Sequence, residues 1–336
     1  MTIRDVAEHC GVSISTVSRV LNDHPDVSRE VRKRVMDAVR ELHYVPNLAA
    51  RDLVMTGGDS IGLVVRGAQN PFFTPLIRSV EQSIEAAGYT MVLHQIQAGG
   101  DELAAAAQLS RSKRLRGLIL LGGRFNYTPE ETASIDVPFV CCTYTNDFGT
   151  IDPEEYSSVS IDDRAEACRA VRLLTKSGHK KIAVLLDSSH DASISELRYQ
   201  GYKDALAEAG IEPDPGMLIE CGSYHMEKAY EKMRSFVSSG KEFTALFCVA
   251  DSMAIAAMKA LHDDGLKVPD DCSVVAIDGI YMSLYTIPTL TTLSQPKEAM
   301  GQQAVSILTD ILSGKDKHRH IRLSTTLRQG GTVRKI

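Results

Sequence analysis

The sequence predicts two structural classes in one chain. A small all-α domain with helix-turn-helix spacing comes first. An α/β core of two doubly wound parallel-sheet halves follows. Three observations carry this reading. A chain of 336 residues is too long for one compact core. Its first 53 residues hold short helical periodicities and no strand-like run. Beyond residue 60, short unbroken apolar runs alternate with amphipathic stretches, as in parallel sheets covered on both faces.

In chain order, Thr2-Ile3-Arg4-Asp5 resembles a capping box opening a helix that carries Val6, and Gly11 closes it. A second helix starts after Ser13. Ser28 precedes a third, with Val31, Val35, Ala38, Val39 and Leu42 at helical spacing, and Pro46-Asn47 breaks that pattern. "NLAARDL" permits two further turns, and "TGGDS" (56–60) reads as a flexible linker. The strands expected after it are "IGLVV" (61–65), "TMVLH" (90–94), "GLILL" (117–121), "PFVCC" (138–142), "KIAVLL" (181–186), "ALFCV" (245–249) and "SVVAI" (273–277). Helices such as 75–87, 164–177, 196–209 and 251–264 lie between them. Neither a fixed-period repeat nor a low-complexity segment is present.

Composition narrows the function. Charged residues make up 24% and the net charge is −6, so bulk basicity cannot be the source of nucleic-acid affinity. Residues 1–51 hold eight Lys/Arg against seven Asp/Glu, which leaves placement of charge as the only route to DNA. The seven cysteines are odd in number and lack C-x-x-C spacing, pointing to free thiols in a reducing compartment and not to zinc or disulfides. The charged start "MTIRDVAEHC" and the lack of an 18-residue apolar run point to a cytoplasmic protein with no membrane partner. No H-E-x-x-H, phosphate-loop or dinucleotide fingerprint occurs. No enzyme, cofactor or metal is therefore expected; "KHRH" (317–320) reads as a basic surface run.

The stretch "VSISTVSRVLN" (12–22) spends four hydroxyl side chains on a short helix, although hydroxyls compete with the helical backbone. At about 100° per residue, Val17, Val20 and Leu21 share one face. Ser15, Ser18, Arg19 and Asn22 share the opposite one. Small hydroxyls allow close approach to a major groove, and a single arginine can reach guanine. Ser13 is the expected N-cap, and Gly11 supplies the tight turn between the two helices. Spacing alone fits an ordinary capped surface helix equally well.

The wider run decides between them. The segments T-I-x-D-V-A, G-V-S-x-x-T-V-S-R-V-L-N, V-S-x-x-x-R-x-x-V and E-L-x-Y-x-P-N-x-x-A-R, in register over residues 2–51, resemble the DNA-binding domain of the lactose/galactose repressor family. "NPFF" (70–73), "SGHKKIAVL" (177–185), "ELRYQGYKDAL" (196–206), "GLKVPDDCSVVAID" (265–278) and "TLTTLSQPKEAMG" (289–301) resemble later landmarks of that family in the same order. The resemblance implies a homodimeric regulator, a repressor in most such relatives, that binds a near-palindromic operator and answers to a sugar-like effector. It implies a DNA-binding domain at 1–53 with a hinge helix about 47–55, a linker at 56–60 and a periplasmic-binding-protein-like core at 61–336. The expected halves are 61–158 with 291–318, and 159–290 with 319–336.

By the same resemblance, Ile14, Ser15 and Arg19 read bases, with Thr16, Ser18 and Asn22 at phosphate or supporting positions. Tyr44 and Asn47 lie near the DNA backbone, Thr2 and Ala50 complete the DNA-facing set, and Leu53 wedges into the minor groove. Here "ARDLVMTGGDS" departs from the family pattern. Asp52 replaces a small polar residue, and Val54 and Gly58 stand at basic positions, which implies a modest affinity per site. Effector positions correspond to Phe72, Phe73, Thr143, Arg198, Tyr224, Asp251, Asp278 and Gln295. Thr143 stands where some sugar-sensing relatives carry Asp and Ala250 where some carry Asn, which implies a ligand other than lactose analogues, smaller or less hydroxylated. The competing reading is a cytoplasmic sugar-binding protein without DNA regulation.

Overall fold

The computed structural model describes residues 2–21, 26–42, 44 and 59–336. Asn22, Asn47, Ala50, Leu53, the hinge segment and most of the 56–60 linker lie outside the described residues. The chain divides into two compact units, 1–58 and 59–336.

In the first unit, helix α1 (Ile3–Cys10) begins where the Thr2 amide donates to the Asp5 carboxylate at 2.6 Å. It ends at Gly11, whose φ of +62° is the left-handed turn that only glycine makes without strain. Helix α2 (Ile14–Leu21) is capped by Ser13, whose Oγ accepts from the Thr16 amide at 3.2 Å. Helix α3 (Arg29–Glu41) is capped by Ser28 in the same way. Val6, Ala7, Cys10, Val17, Val20, Val35, Ala38 and Tyr44 form the core between the three.

The second unit contains two six-stranded sheets. The first joins β1 (Ser60–Arg66), β2 (Thr90–Ile96), β3 (Gly117–Leu121), β4 (Phe139–Cys142), β5 (Ser157–Ser160) and β11 (His320–Arg322) in the order β11-β5-β4-β3-β1-β2. The second joins β6 (Ile182–Leu186), β7 (Leu218–Glu220), β8 (Ala245–Cys248), β9 (Ser273–Asp278), β10 (Thr291–Ser294) and β12 (Thr326–Arg328) in the order β12-β10-β9-β8-β6-β7. Every described pairing is parallel except that of β10 with β12. This is the fold class expected from the alternation of apolar runs and helices. On the first sheet, Ile61, Leu63 and Val65 face one apolar layer while Val64, Leu118 and Leu120 face the other, so both faces are covered.

The covering helices are α4 (Phe73–Ala86), α5 (Glu102–Lys113), the one-turn α6 (Pro129–Thr132), α7 (Asp163–Lys176), α8 (Ile194–Glu208), α9 (Met226–Ser238), α10 (Asp251–Asp263) and α11 (Lys297–Leu312). The chain passes between the halves three times, at 161–162, 295–296 and 323–325. This corrects the expected boundaries. Val159 and Ser160 belong to the first half, because β5 pairs with β4; Thr291–Ser294 belongs to the second, because β10 pairs with β9; His320–Arg322 belongs to the first, because β11 pairs with β5.

Close packing of α7 on α8 depends on Gly201. A Cβ there would lie 2.1 Å from the Arg164 carbonyl and 2.9 Å from the Cys168 amide. The ion pairs Arg164–Asp204 and Arg172–Glu208 hold the same two helices together. Alanine is normally favoured over glycine inside a helix by about 1 kcal/mol. Here the obstacle is backbone, so the clash outweighs that gain. Gly201→Ala is expected to destabilise the second unit by about 1–3 kcal/mol, the usual cost of overpacking, measured by urea titration.

Candidate functional site

The outer face of α2 has the residue types that the helical wheel places there. Ser13, Ser15 and Arg19 are exposed, Thr16 and Ser18 are half-buried, and Ile14 is 42% exposed. Ser13 Oγ lies 2.7 Å from Ser15 Oγ and 2.8 Å from Thr16 Oγ1, so the first turn carries a linked set of hydroxyls. No carboxylate among the described residues pairs with Arg19. Thr2 is exposed at the start of α1. Tyr44 is 9% exposed, and its ring packs into the three-helix core.

In the second unit, a cavity of about 660 Å³ opens between the halves, at the carboxyl ends of the strands. Open parallel sheets bind ligands there because the strand-to-helix loops converge at that edge. Of the expected effector residues, Phe72, Phe73, Thr143, Arg198, Tyr224, Asp278 and Gln295 line it. Phe72 and Phe73, at the entry to α4, meet edge to face with centroids 5.4 Å apart. The Tyr224 hydroxyl lies 2.7 Å from Ser195 Oγ, which fixes its ring over the start of α8.

The floor is a buried charge cluster. Arg198 rises from α8 and is 2% exposed. Its Nε donates to Asp163 Oδ1 at 2.9 Å, its Nη1 donates to the Val249 carbonyl, and Nη1 lies 3.5 Å from Asp278 Oδ1. Asp278 closes β9 with φ at +132° and accepts from Gln295 Nε2 at 2.8 Å. Lys297 Nζ donates to the carbonyls of Asp278, Gly279 and Gln295 at 2.7, 3.0 and 3.2 Å. Burial pushes the Asp278 carboxyl upward against the opposing pull of Arg198 and Lys297, and burial pushes Asp163 up to about 6. Burial alone would depress Arg198, but Asp163 and Asp278 hold it above its ordinary value. The guanidinium therefore stays charged, and its Nη2 lies 2.9 Å from Asp163 Oδ1 in the same ion pair.

Asp251 is a correction. It is 0% exposed and does not line the cavity. Its carboxylate accepts from the Ile280 amide at 2.9 Å, Ser283 Oγ at 2.8 Å and Thr292 Oγ1 at 2.5 Å. With every acceptor engaged inside the protein, it anchors the loop behind Asp278 in place of touching ligand. The cavity also recruits residues that motif reading passed over: Arg66, Tyr144, Asp187, Asp191, Glu227 and Ser252. Arg66, Tyr144, Asp187 and Asp191 sit at or beyond the carboxyl end of a strand, and Glu227 and Ser252 in the first turn of the helix that follows one. Among the described residues no His/Cys/Asp/Glu group is arranged to hold a metal ion.

Comparison with known proteins places this geometry. A family model for bacterial regulatory proteins of the lacI family matches residues 2–47, and one for a periplasmic binding protein-like domain matches 171–333. The chain is 37% identical over 329 residues to the HTH-type transcriptional regulator MalR of Clostridium butyricum, covering 97% of each. The chain belongs to the LacI family. Among solved structures, a lac repressor dimer bound to operator and the anti-inducer ONPF superposes with a TM-score of 0.76 at 26% identity, over 99% of this chain and 98% of that one. The transcriptional regulator CelR in complex with cellobiose gives 0.72 at 27%, over 99% and 100%. This LacI-family protein is a DNA-binding transcriptional regulator modulated by a small ligand, and not an enzyme. No helix among the described residues is long and apolar enough to cross a membrane.

The cavity makes one electrostatic prediction. Burial, and then the neighbouring Asp191 charge, push Asp187 from 3.8 up to about 6. A raised folded-state value means that the neutral form is favoured by folding. That stability is full below about pH 4 and is lost as pH rises through about 6. Asp187→Asn is therefore expected to be more stable than wild type at pH 7, on the order of 1 kcal/mol after solvent screening. The two should converge at pH 4, as read by denaturant titration.

Proposed function

We propose that this regulator is a cytoplasmic homodimeric repressor. Two copies of α2 read the half-sites of a near-palindromic operator, and a sugar or sugar derivative in the cleft changes the grip. The observation that carries the reading is the pairing, in one chain, of an exposed hydroxyl-and-arginine helix face with a buried Arg198–Asp278–Gln295 cleft floor. The operator-bound lac repressor dimer and the cellobiose complex of CelR support the two halves of the reading.

Each residue has a role that its chemistry suits. Arg19 is the long cation on the α2 face and is assigned to guanine, with Ile14 and Ser15 beside it against base edges and Thr16 and Ser18 toward phosphates. In the cleft, Phe72, Phe73 and Tyr224 offer apolar faces to the C–H face of a sugar ring. Arg198, Asp278 and Gln295 hydrogen-bond its hydroxyls, the charged members more strongly than neutral groups would. A ligand held by both halves shifts the equilibrium between cleft conformations only by its difference in affinity for them. A coupling of about 1–3 kcal/mol would change operator affinity roughly 5–150-fold.

Two substitutions test these assignments. Arg19→Ala is expected to cost about 1–3 kcal/mol at the operator and to relax preference at one base pair per half-site, measured by competition against scrambled DNA. Unchanged discrimination would refute the base-reading role. Asp278→Asn keeps a residue tolerant of positive φ but removes the charge facing Arg198. The unliganded variant should hold operator normally and lose the effector response in an operator titration. A full response would move the ligand site elsewhere.

A further inference from the structure

The cavity has a buried floor and a wetter mouth. Arg198, Asp278, Gln295 and Ser252 are buried at the floor; Asp191 and Glu227 are exposed at the mouth, and Arg66 and Asp187 are half-buried there. Two lining arginines, Arg66 and Arg198, and His225 stand with four lining carboxylates, Asp187, Asp191, Glu227 and Asp278. Each arginine already has a carboxylate beside it within the protein. Arg198 lies between Asp163 and Asp278, and Arg66 Nε is 3.4 Å from the buried Glu102. By contrast, the carboxylates of Asp187, Asp191 and Glu227 take no hydrogen bond or ion pair from any described residue. An ionised carboxylate only accepts, so these groups call for donors.

A buried polar atom at the floor points the same way. Ser252 is 1% exposed and its Oγ has no partner among the described residues. A buried hydroxyl left unpaired is costly, so Ser252 gains a partner when a ligand arrives. The volume of about 660 Å³ falls mid-range for ligand pockets and exceeds what one six-membered ring fills.

We propose, against the smaller or less hydroxylated ligand expected from Thr143 and Ala250, that the effector is an uncharged oligosaccharide of at least two rings, one on the floor and the next donating hydroxyls to the Asp187–Asp191–Glu227 mouth, and that this mouth rejects phosphorylated sugars. The proposal deepens the reading of the cleft as a sugar site and rests on it. A hydroxyl satisfies a free carboxylate. A phosphate, carrying about −1.5 to −2 charges and acceptors only, would face like charge with no arginine free of a carboxylate neighbour to receive it.

Calorimetric titration of the full-length protein tests this with maltose, cellobiose, lactose and sucrose, their component hexoses, and the corresponding hexose 6-phosphates. At least one disaccharide should bind tenfold or more tighter than its hexoses, and each 6-phosphate should bind more weakly than its parent hexose. Asp187→Asn/Asp191→Asn/Glu227→Gln should shrink both differences several-fold. Should the triple variant fail to fold, Glu227→Gln alone, at an exposed position, should reduce the disaccharide preference at least twofold. A 6-phosphate that binds as well as its hexose, or a hexose that matches every disaccharide, overturns the proposal while leaving the sugar site standing. Binding of none of these compounds overturns the sugar reading itself.

Discussion

A guanidinium buried among two carboxylates and a carbonyl is the interaction on which the α/β core turns. Arg198 receives Asp163 from the start of α7, Val249 from the end of β8 and Asp278 from the end of β9. Taking such charges out of water costs several kcal/mol per ion, so the cluster is a poor source of net stability. Its value is geometric. Removing one member would strand a buried charge, typically at about 3–5 kcal/mol, so the two strand ends and the start of α7 must arrive together. The cavity floor is thereby set before any ligand enters.

The same cluster explains why the passage at Gln295–Pro296 sits beside the ligand site. Gln295 donates to Asp278, and Lys297, one residue after Pro296, reaches back across the passage to the carbonyls of Asp278, Gly279 and Gln295. Ser79 Oγ then bonds the Glu298 carbonyl at 2.7 Å where α11 packs on α4, so the floor of one half is fastened to a helix of the other. A ligand that displaces Asp278 or Gln295 therefore acts on a joint between the halves, and not on an isolated side chain.

Much of this architecture was legible in the amino-acid order. Strands such as Ile182–Leu186 and Ala245–Cys248 are unbroken apolar runs, because they are buried on both faces. Ser157–Ser160 and Thr291–Ser294 left no such mark. They are rich in hydroxyl residues yet buried, held in the sheets by backbone pairing to neighbours far away in sequence. Missing them misplaced two of the passages between halves. Asp251 and Asp278 look alike on paper, each close behind an apolar strand. Only the positions of Ile280, Ser283 and Thr292 separate an anchor from a cavity-facing acid, and no local spacing encodes them. The acidic mouth escaped notice because it is assembled from separate loops, one carboxylate or two at a time.

The headpiece resolves its own tension differently. A helix of eight residues is marginal in water on propensity alone, and hydroxyl residues weaken it further. Burial of Val17 and Val20 against α1 and α3, together with the Ser13 cap, supplies the stabilisation that the outer face lacks. The inner face thus holds the helix, which leaves Ile14 and Arg19 outside its packing. A face freed in this way can be chosen for what it reads. An acidic chain needs such a face, because without bulk basicity its preference for one DNA sequence must come from the few groups that α2 presents.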